Sequence, residues 1–508
     1  MTAPLIAVIG TTGVGKSKLA VELAEALRES RQTDAQWKEG RVINADAMQV
    51  YRGLDIITNK IPMDERNGVE HVLMGFKEPG EQFVVGEWIG EAINIIEDYH
   101  KQSILPIVAG GTLYWVQHLI FPERLTTAPT STIEEVSRSQ TPASGILRSR
   151  LETLAPPLRA LYEDLPSREA VATLSEEQAW SLHGVLQHLD PEMASRWHWR
   201  DSRKVLRSLE ILQETGNLAS ESVRSQDHKA SLPRMPSLVF WLYARPDVLE
   251  PRLDARVDEM IKGGLIDELQ ELRNIAATLP VDEQGLANDH SDSTTGIFQS
   301  IGYKEFADLL ASSPTSLDQT SETFRQGVDR MKLSTRQYSR RQVKWIRNRL
   351  IPAIVSANEI QVNEGEQTRI YLLDATELGS RWNTDVRDKA IAIMQAFLKG
   401  KPEDLPEPAS LSQSAKDLLA LKRSALAPSA TLEARRKRIC STCTKDPERP
   451  VMLEEGREWE LHIKTRTHRR LENAGKHDDE IQRLREEARI RREAKTQGAV
   501  GSPISEYT

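Results

Sequence analysis

The octapeptide Gly10-Thr11-Thr12-Gly13-Val14-Gly15-Lys16-Ser17 follows the apolar run Leu5-Ile-Ala-Val-Ile9 directly. No other segment restricts the fold as strongly. The run is short and apolar at every position, which reads as a strand buried on both faces of a parallel sheet. After the octapeptide, Leu19, Leu23, Ala24 and Leu27 recur at helical spacing within Lys18–Arg28. A strand, a turn of form G-x-x-x-x-G-K-[ST] and a helix together make a phosphate cradle. Successive backbone N–H groups turn inward around anionic oxygens, and the helix start adds its positive dipole end. Lys16 adds a mobile cation, and the Ser17 hydroxyl suits Mg²⁺. A Gly-rich turn without a ligand is the bland alternative, and the two flanking elements count against it. The cradle says phosphate without saying which reaction.

Two more strand ends belong to the same argument. Arg41–Ala45 and Ile104–Ala109 are strand candidates, and alternation with helices argues a parallel α/β sheet. The first runs into Asp46-Ala-Met-Gln49-Val-Tyr51-Arg-Gly53, the second into Gly110-Gly-Thr112-Leu-Tyr114-Trp115. Ligands of parallel sheets sit beyond the carboxyl ends of the strands. Asp46 and Gln49 should therefore face whatever the cradle holds, with Asp46 a candidate Mg²⁺ anchor. Taken singly, Asp46 reads equally well as a helix N-cap and Thr112 as a turn hydroxyl.

Further along, residues 126–200 show helical patterns with prolines and no clear strand, while Leu238–Ala244 returns to strand character. Residues 250–275 and 297–350 read as long helices, and 277–296 as an exposed loop. The Pro-, Ser- and Ala-rich stretch 400–430 reads as a linker, and the densely charged 474–496 as a solvated helix.

Seven segments, in order across roughly residues 5–350, resemble the tRNA dimethylallyltransferase (tRNA isopentenyltransferase) family. They begin with the cradle, the Asp46 segment and the Thr112 segment. Asp201-Ser-Arg-Lys-Val-Leu206-Arg-Ser-Leu-Glu210 is similar to the family's D-x-R-x-x-R-x-L-E helix, and Leu253-Asp-Ala-Arg256 with Gly263-Gly-Leu265 to its Arg-containing segment. Gln299-Ser-Ile-Gly302-Tyr303-Lys304-Glu305 resembles Q-x-I-G-Y-K-E. Thr335-Arg336-Gln-Tyr338-Ser-Arg340-Arg341-Gln342-Val-Lys344-Trp345 resembles T-x-x-Y-x-[KR]-[KR]-Q-x-x-W. The chain departs from the pattern at Thr11, where Pro is usual, at Ala47, where Ser is usual, and at the single His71, where a pair is common.

The resemblance implies transfer of a dimethylallyl group from dimethylallyl diphosphate to N6 of adenosine 37, beside the tRNA anticodon. The cradle and Lys16 would then stabilise the departing diphosphate, with Mg²⁺ as its counter-ion. Asp46 would take the amine proton. Thr112 would hydrogen-bond the diphosphate and Arg256 add a cation, with Arg252 the weaker candidate. Gln49 has the paired donor and acceptor to read an adenine edge, and the base would have to flip out of its stack. From Arg325 to Leu350 nine basic residues stand against one acid, Asp329. Arg336, Arg340, Lys344 and Arg347 recur at helical spacing, so one face is expected to contact the phosphates of an anticodon stem-loop. A solvated charged helix with Trp345 buried is the plainer alternative. Rival readings are a P-loop nucleotide or small-molecule kinase, an adenylate isopentenyltransferase acting on free nucleotide, and a non-enzymatic RNA-binding protein.

Near the C-terminus, Cys440-Ser-Thr-Cys443 is followed by His462 and His468, giving C-x2-C-x18-H-x5-H. The outer gaps fit a C2H2 finger, though the central spacer exceeds the usual length. These are both of the chain's cysteines. With four ligand types in order in a short window, a structural Zn²⁺ site is favoured over two incidental thiols. Family resemblance implies the same, since eukaryotic members often end in such a finger. Arg435-Arg-Lys-Arg438 suits RNA or a nuclear signal.

Composition sets the outer bounds. A length of 508 residues implies about three domains. Two cysteines exclude a disulfide framework, and no apolar run is long enough to cross a bilayer. The expected class is α/β: a P-loop NTPase-like parallel sheet core with a helical insertion domain and a small C-terminal zinc finger. The expected bounds are 1–125 and 200–350 for the core, 126–199 for the insertion, 351–430 for a connecting region and linker, 431–472 for the finger and 473–508 for a charged tail. A cytoplasmic monomer without membrane contact is expected, with nucleus or mitochondrion as further compartments.

Overall fold

The structure, a computed structural model, describes residues 3–29, 36–122, 143–167, 170–228, 232–278, 296–312, 319–361, 366–420, 436–447 and 450–474, with 487 and 489. They divide into two compact units. One comprises Met1–Glu134 with Lys229–Ala425, the other Glu135–His228 with Leu426–Thr508.

The first unit is built on a six-stranded parallel sheet. Its strands are β1 (Leu5–Gly10), β2 (Glu39–Asn44), β3 (His71–Val72), β4 (Ile104–Gly110), β5 (Ser237–Tyr243) and β6 (Arg369–Asp374), in the spatial order β3-β2-β4-β1-β5-β6. β1 and β4 are buried at every residue. That explains their unbroken apolar runs, because apolar cores cover both faces of the sheet. The three strands expected from sequence, and the return at residues 238–244, are all present. In the helix Lys16–Glu29, Leu19, Leu23, Ala24 and Leu27 are among the buried residues, as their spacing requires.

Of residues 351–430, expected as connecting region and linker, the described residues 351–361 and 366–420 belong to this unit. β6 pairs in parallel with β5 along the sheet edge. The helices Ile351–Ile360, Asp388–Leu398 and Gln413–Leu419 also belong here. Tyr371 Oη donates to the Pro406 carbonyl at 3.0 Å, and Ser414 Oγ donates to Asp374 at 3.1 Å. Part of a Pro- and Ser-rich segment thus folds back onto the edge strand. Composition alone suggested a linker because it reports no such long-range contact. The 250–275 helix is two helices, Pro246–Lys262 and Leu265–Thr278, parted at Gly263-Gly264, where Gly264 has φ +105°. Of 297–350, Glu322–Trp345 is one long helix, continued by a wider turn of i→i+5 bonding at Ile346–Leu350.

The second unit contains the insertion helices, from Gly145–Thr153 to Ala219–His228. Ser202–Thr215 was expected with the core, yet its Val205, Leu206, Leu209 and Leu212 pack among Leu182, Val185, Leu186 and Leu189. Amphipathic spacing marks a face to be buried without naming its partner. The hairpin β7 (Lys437–Ile439) and β8 (Met452–Glu454) and the helix Arg457–Ile463 complete this unit. The expected loop at 277–296, Arg435 and the charged tail lie almost wholly outside the described residues. No helix among the described residues is long and apolar enough to cross a membrane.

Candidate active site

β2, β4 and β1 are neighbours in the sheet, so their carboxyl ends sit side by side. Gly10 ends β1 with φ +147°, and a Cβ there would lie 2.4 Å from the Leu242 carbonyl oxygen on β5. Only glycine fits this start to the loop. Lys16 Nζ donates to the Thr11 carbonyl at 2.8 Å. Burial lowers the Lys16 ammonium from its usual 10.5 to about 8; Asp46 raises it and Arg256 lowers it further. Thr12 N–H donates to Gln342 Oε1 at 3.2 Å, so one cradle N–H already has a partner. The Thr11 hydroxyl is buried with no partner among the described residues.

Asp46 lies just past β2. Its Oδ1 accepts from Met48 N–H at 3.1 Å. Burial raises its carboxyl above the ordinary range; the Met48 N–H, the Lys16 charge and the Gly111 and Gln49 N–H groups oppose that rise only in part. A Cβ on Gly111 would stand 3.3 Å from Asp46 Oδ2 and 3.8 Å from Lys16 Nζ, so the turn after β4 closes tightly on this pair. Thr112 Oγ1 accepts from Ala47 N–H at 2.9 Å, and Thr112 N–H donates to the Ala45 carbonyl at 3.1 Å. Thr112 therefore ties the ends of β2 and β4 together, and its hydroxyl proton still has to find an acceptor.

Arg256 is charged close to Lys16. Burial lowers its pKa, against the opposing pull of Glu259 and Glu65. Arg252 is engaged otherwise: its guanidinium donates to the carbonyls of Gly13 (3.3 Å), Ala375 (3.2 Å) and Thr376 (2.5 Å). Gln49 Nε2 donates to the carbonyls of Thr58 (3.1 Å) and Asn59 (3.0 Å). Its two amide protons are thereby occupied, which leaves Oε1 as the atom available for an adenine.

The helix Glu322–Trp345 supplies contacts that spacing did not single out. Gln342 is buried, and its Nε2 donates to the Gly111 carbonyl at 3.0 Å while Oε1 holds Thr12 N–H. One amide thus joins the cradle to the β4 turn. Tyr338 Oη lies 3.4 Å from the Gly111 carbonyl, and burial, then Asp46, raise its pKa. Trp345 Nε1 donates to Gln117 at 3.0 Å. Tyr338, Gln342 and Trp345 stand at i, i+4 and i+7, and that semi-polar stripe was the available signal.

The expected basic face is partly neutralised within the unit. Lys332 pairs with Asp258 (2.6 Å), Arg336 with Asp254 (2.5 Å) and Arg340 with Glu250 (2.6 Å). These acids lie on Pro246–Lys262, so a ladder of ion pairs joins the two helices. Lys344 and Arg347 form no ion pair among the described residues.

In the second unit, Cys440, Cys443, His462 and His468 place one ligand atom each within 4.8 Å of all the others. His468 Nδ1 is 3.4 Å from either sulfur and 3.2 Å from His462 Nε2. Tetrahedral Zn²⁺ with its usual bond lengths needs ligand separations of about 3.4–3.8 Å, so the set fits that ion. The helix Arg457–Ile463 stops short of Thr465, whose hydroxyl accepts from His468 N–H at 3.2 Å and so caps a new helical turn. The segment that carries this cluster packs against residues 179–199 of the same unit. Met452 lies with Trp199 and Ala179, Trp199 Nε1 donates to the Pro450 carbonyl at 3.3 Å, and Lys437 N–H donates to the Ser195 carbonyl at 2.6 Å.

Comparison with known proteins adds an independent line. Residues 49–349 match the family described as IPP transferase. A protein of Schizosaccharomyces pombe named tRNA dimethylallyltransferase is 33% identical, over 92% of this chain and 95% of its own. A human protein of the same name is 29% identical, over 92% and 85%. The solved structure of a eukaryotic dimethylallyltransferase acting on tRNA superposes with a TM-score of 0.66 at 28% identity, covering 95% of this chain and all of the other.

Proposed function

The chain belongs to the IPP transferase family, and from that membership we propose that it carries dimethylallyl from dimethylallyl diphosphate to N6 of adenosine 37 in tRNA. It is an enzyme of tRNA prenylation. The observation that carries the finer reading is the juxtaposition of a carboxylate and a phosphate loop. Asp46 sits within charge–charge reach of Lys16, at the carboxyl ends of the two strands that flank β4.

In this reading the diphosphate lies in the cradle of Gly10, Thr11, Thr12, Gly13, Val14, Gly15, Lys16 and Ser17. Lys16 leaves the Thr11 carbonyl for the phosphate oxygens, and Arg256 adds a second cation. Thr112 donates its hydroxyl proton to the diphosphate. The bond between C1 of the dimethylallyl group and the diphosphate oxygen breaks, and diphosphate leaves with the electron pair. The adenine N6 lone pair forms the new N–C bond, and Asp46 takes the proton that N6 loses. A carboxyl raised above its ordinary range is a better acceptor for that proton than a solvated one. Gln49 Oε1 accepts from the exocyclic amine and holds it in line. Mg²⁺, held by Ser17, would neutralise charge on the leaving diphosphate. Zn²⁺ held by Cys440, Cys443, His462 and His468 would be structural, and the RNA would run past Lys344 and Arg347. The thiols of such a site call for a reducing compartment, so the cytosol is the setting proposed.

Incubating the purified chain with labelled dimethylallyl diphosphate and either tRNA, AMP or ATP separates this reading from its rivals. Label on tRNA adenosine alone is expected. Label on AMP would favour prenylation of free nucleotide, and phosphate turnover of ATP would favour a kinase.

A further inference from the structure

The C-terminal part of the first unit reaches the phosphate loop at two points. Trp382 is 1% exposed. A Cβ on Gly15 would lie 2.8 Å from Cη2 and 2.9 Å from Cζ3 of its ring, so the indole lies in van der Waals contact with the Gly15 backbone. The ring is itself fixed. Its Nε1 donates to both Glu22 carboxylate oxygens, at 3.0 and 2.9 Å, and Lys18 Nζ stands 4.7 Å from the ring centre. Glu22 and Lys18 are on the helix that the loop opens. The second contact is the Arg252 guanidinium, which joins the Gly13 carbonyl to those of Ala375 and Thr376.

Both contacts fall on glycines with left-handed backbone, Gly13 at φ +77° and Gly15 at φ +86°. Such residues have the widest conformational freedom, so a loop built on them cradles an anion only if something outside it holds its shape. Trp382 and residues 375–376 lie beyond residue 349, where the family match ends.

We propose that Trp382 and Arg252 are positioning residues for the diphosphate subsite, which clamp the loop at Gly15 and Gly13 in its anion-cradling conformation. This rests on the reading that the loop takes the diphosphate of the prenyl donor. Neither side chain needs to touch substrate. Arg252 in particular already directs its donors to carbonyl oxygens. Loss of either clamp should weaken ground-state and transition-state binding of the diphosphate alike, which raises KM and leaves kcat.

The test compares full-length Trp382→Leu, Trp382→Phe and Arg252→Gln with wild type, and with Met394→Ala as a control. Met394 is fully buried in the same apolar core. KM for dimethylallyl diphosphate and the inhibition constant of inorganic pyrophosphate should both rise about tenfold in Trp382→Leu and Arg252→Gln. The kcat and the KM for tRNA should stay within about threefold. Trp382→Phe keeps a ring on Gly15 but loses the bond to Glu22, and should fall between. Met394→Ala should lose thermal stability without moving either diphosphate constant. Wild-type diphosphate constants in Trp382→Leu and Arg252→Gln would overturn the proposal, as would an equal rise in Met394→Ala. If Trp382→Leu does not fold, Trp382→Phe and Arg252→Gln decide. If wild type transfers no label to tRNA, the functional reading fails separately, and calorimetry with inorganic pyrophosphate still tests the clamp.

Discussion

At the scale of single residues, the proposed chemistry turns on two groups whose pKa values burial moves in opposite senses. Asp46 is raised and Lys16 is lowered to about 8. As pH falls, Asp46 takes up a proton and the base is lost. As pH rises through about 8, Lys16 loses its charge, and a cation facing the diphosphate is lost. The profile of kcat/KM for dimethylallyl diphosphate should therefore fall on both sides, with its alkaline limb near that value. Lys16→Arg should carry the alkaline limb upward even if the plateau drops, because guanidinium stays charged. An alkaline limb unchanged in Lys16→Arg would dissociate it from this lysine. Asp46, Thr112 and the loop were legible in sequence because each lies at a strand end whose apolar run announces it. Gln342 was not. Its partners Thr12 and Gly111 are 330 and 231 residues away, and helical spacing contains no information about contacts at that range.

At the scale of elements, the ladder between Pro246–Lys262 and Glu322–Trp345 changes what the basic helix can do. Arg336 and Arg340 already face carboxylates, at 2.5 and 2.6 Å. Replacing both by Gln should cost at most about 1 kcal/mol per pair in unfolding free energy, since such partly exposed pairs are worth little. It should move the KM for tRNA by less than about threefold. Replacing Lys344 and Arg347 should raise that KM more and flatten its dependence on salt. Salt-dependent tRNA kinetics of the two double variants check this ordering, and the reverse order would show that RNA breaks the ladder. The Cys440, Cys443, His462 and His468 cluster is the clearest case of a grouping legible in sequence, because metal-ligand spacing is local. Its docking on Trp199 was not legible, since the two segments are 251 residues apart. His468→Ala should lower bound zinc from about one ion per chain to near zero by elemental analysis. It should also increase Trp fluorescence quenching by solvent-borne acrylamide as Met452 leaves Trp199. Full zinc retention would remove His468 from the ligand set.

At the scale of the whole molecule, a formal charge of −8 is a poor guide to partners. The Arg325–Leu350 stretch is strongly basic, yet part of its charge is met by acids of a neighbouring helix, so neither the total nor the local count describes the surface that RNA would meet. The sheet follows the same logic. Its first strands were legible from buried runs and the cradle, whereas β6, a short apolar run within the 351–430 stretch expected as connecting region and linker, was not singled out. The sheet brings three strand ends together, and the central claim is that Asp46, at one of them, is the base for prenyl transfer beside the phosphate loop. Single-turnover transfer of labelled dimethylallyl to tRNA, at saturating concentrations of both, tests it most directly in wild type and Asp46→Asn. The expected result is a rate lower by about 10²–10⁴ in the variant, with pyrophosphate affinity within about twofold of wild type. Equal rates in the two proteins would contradict the account.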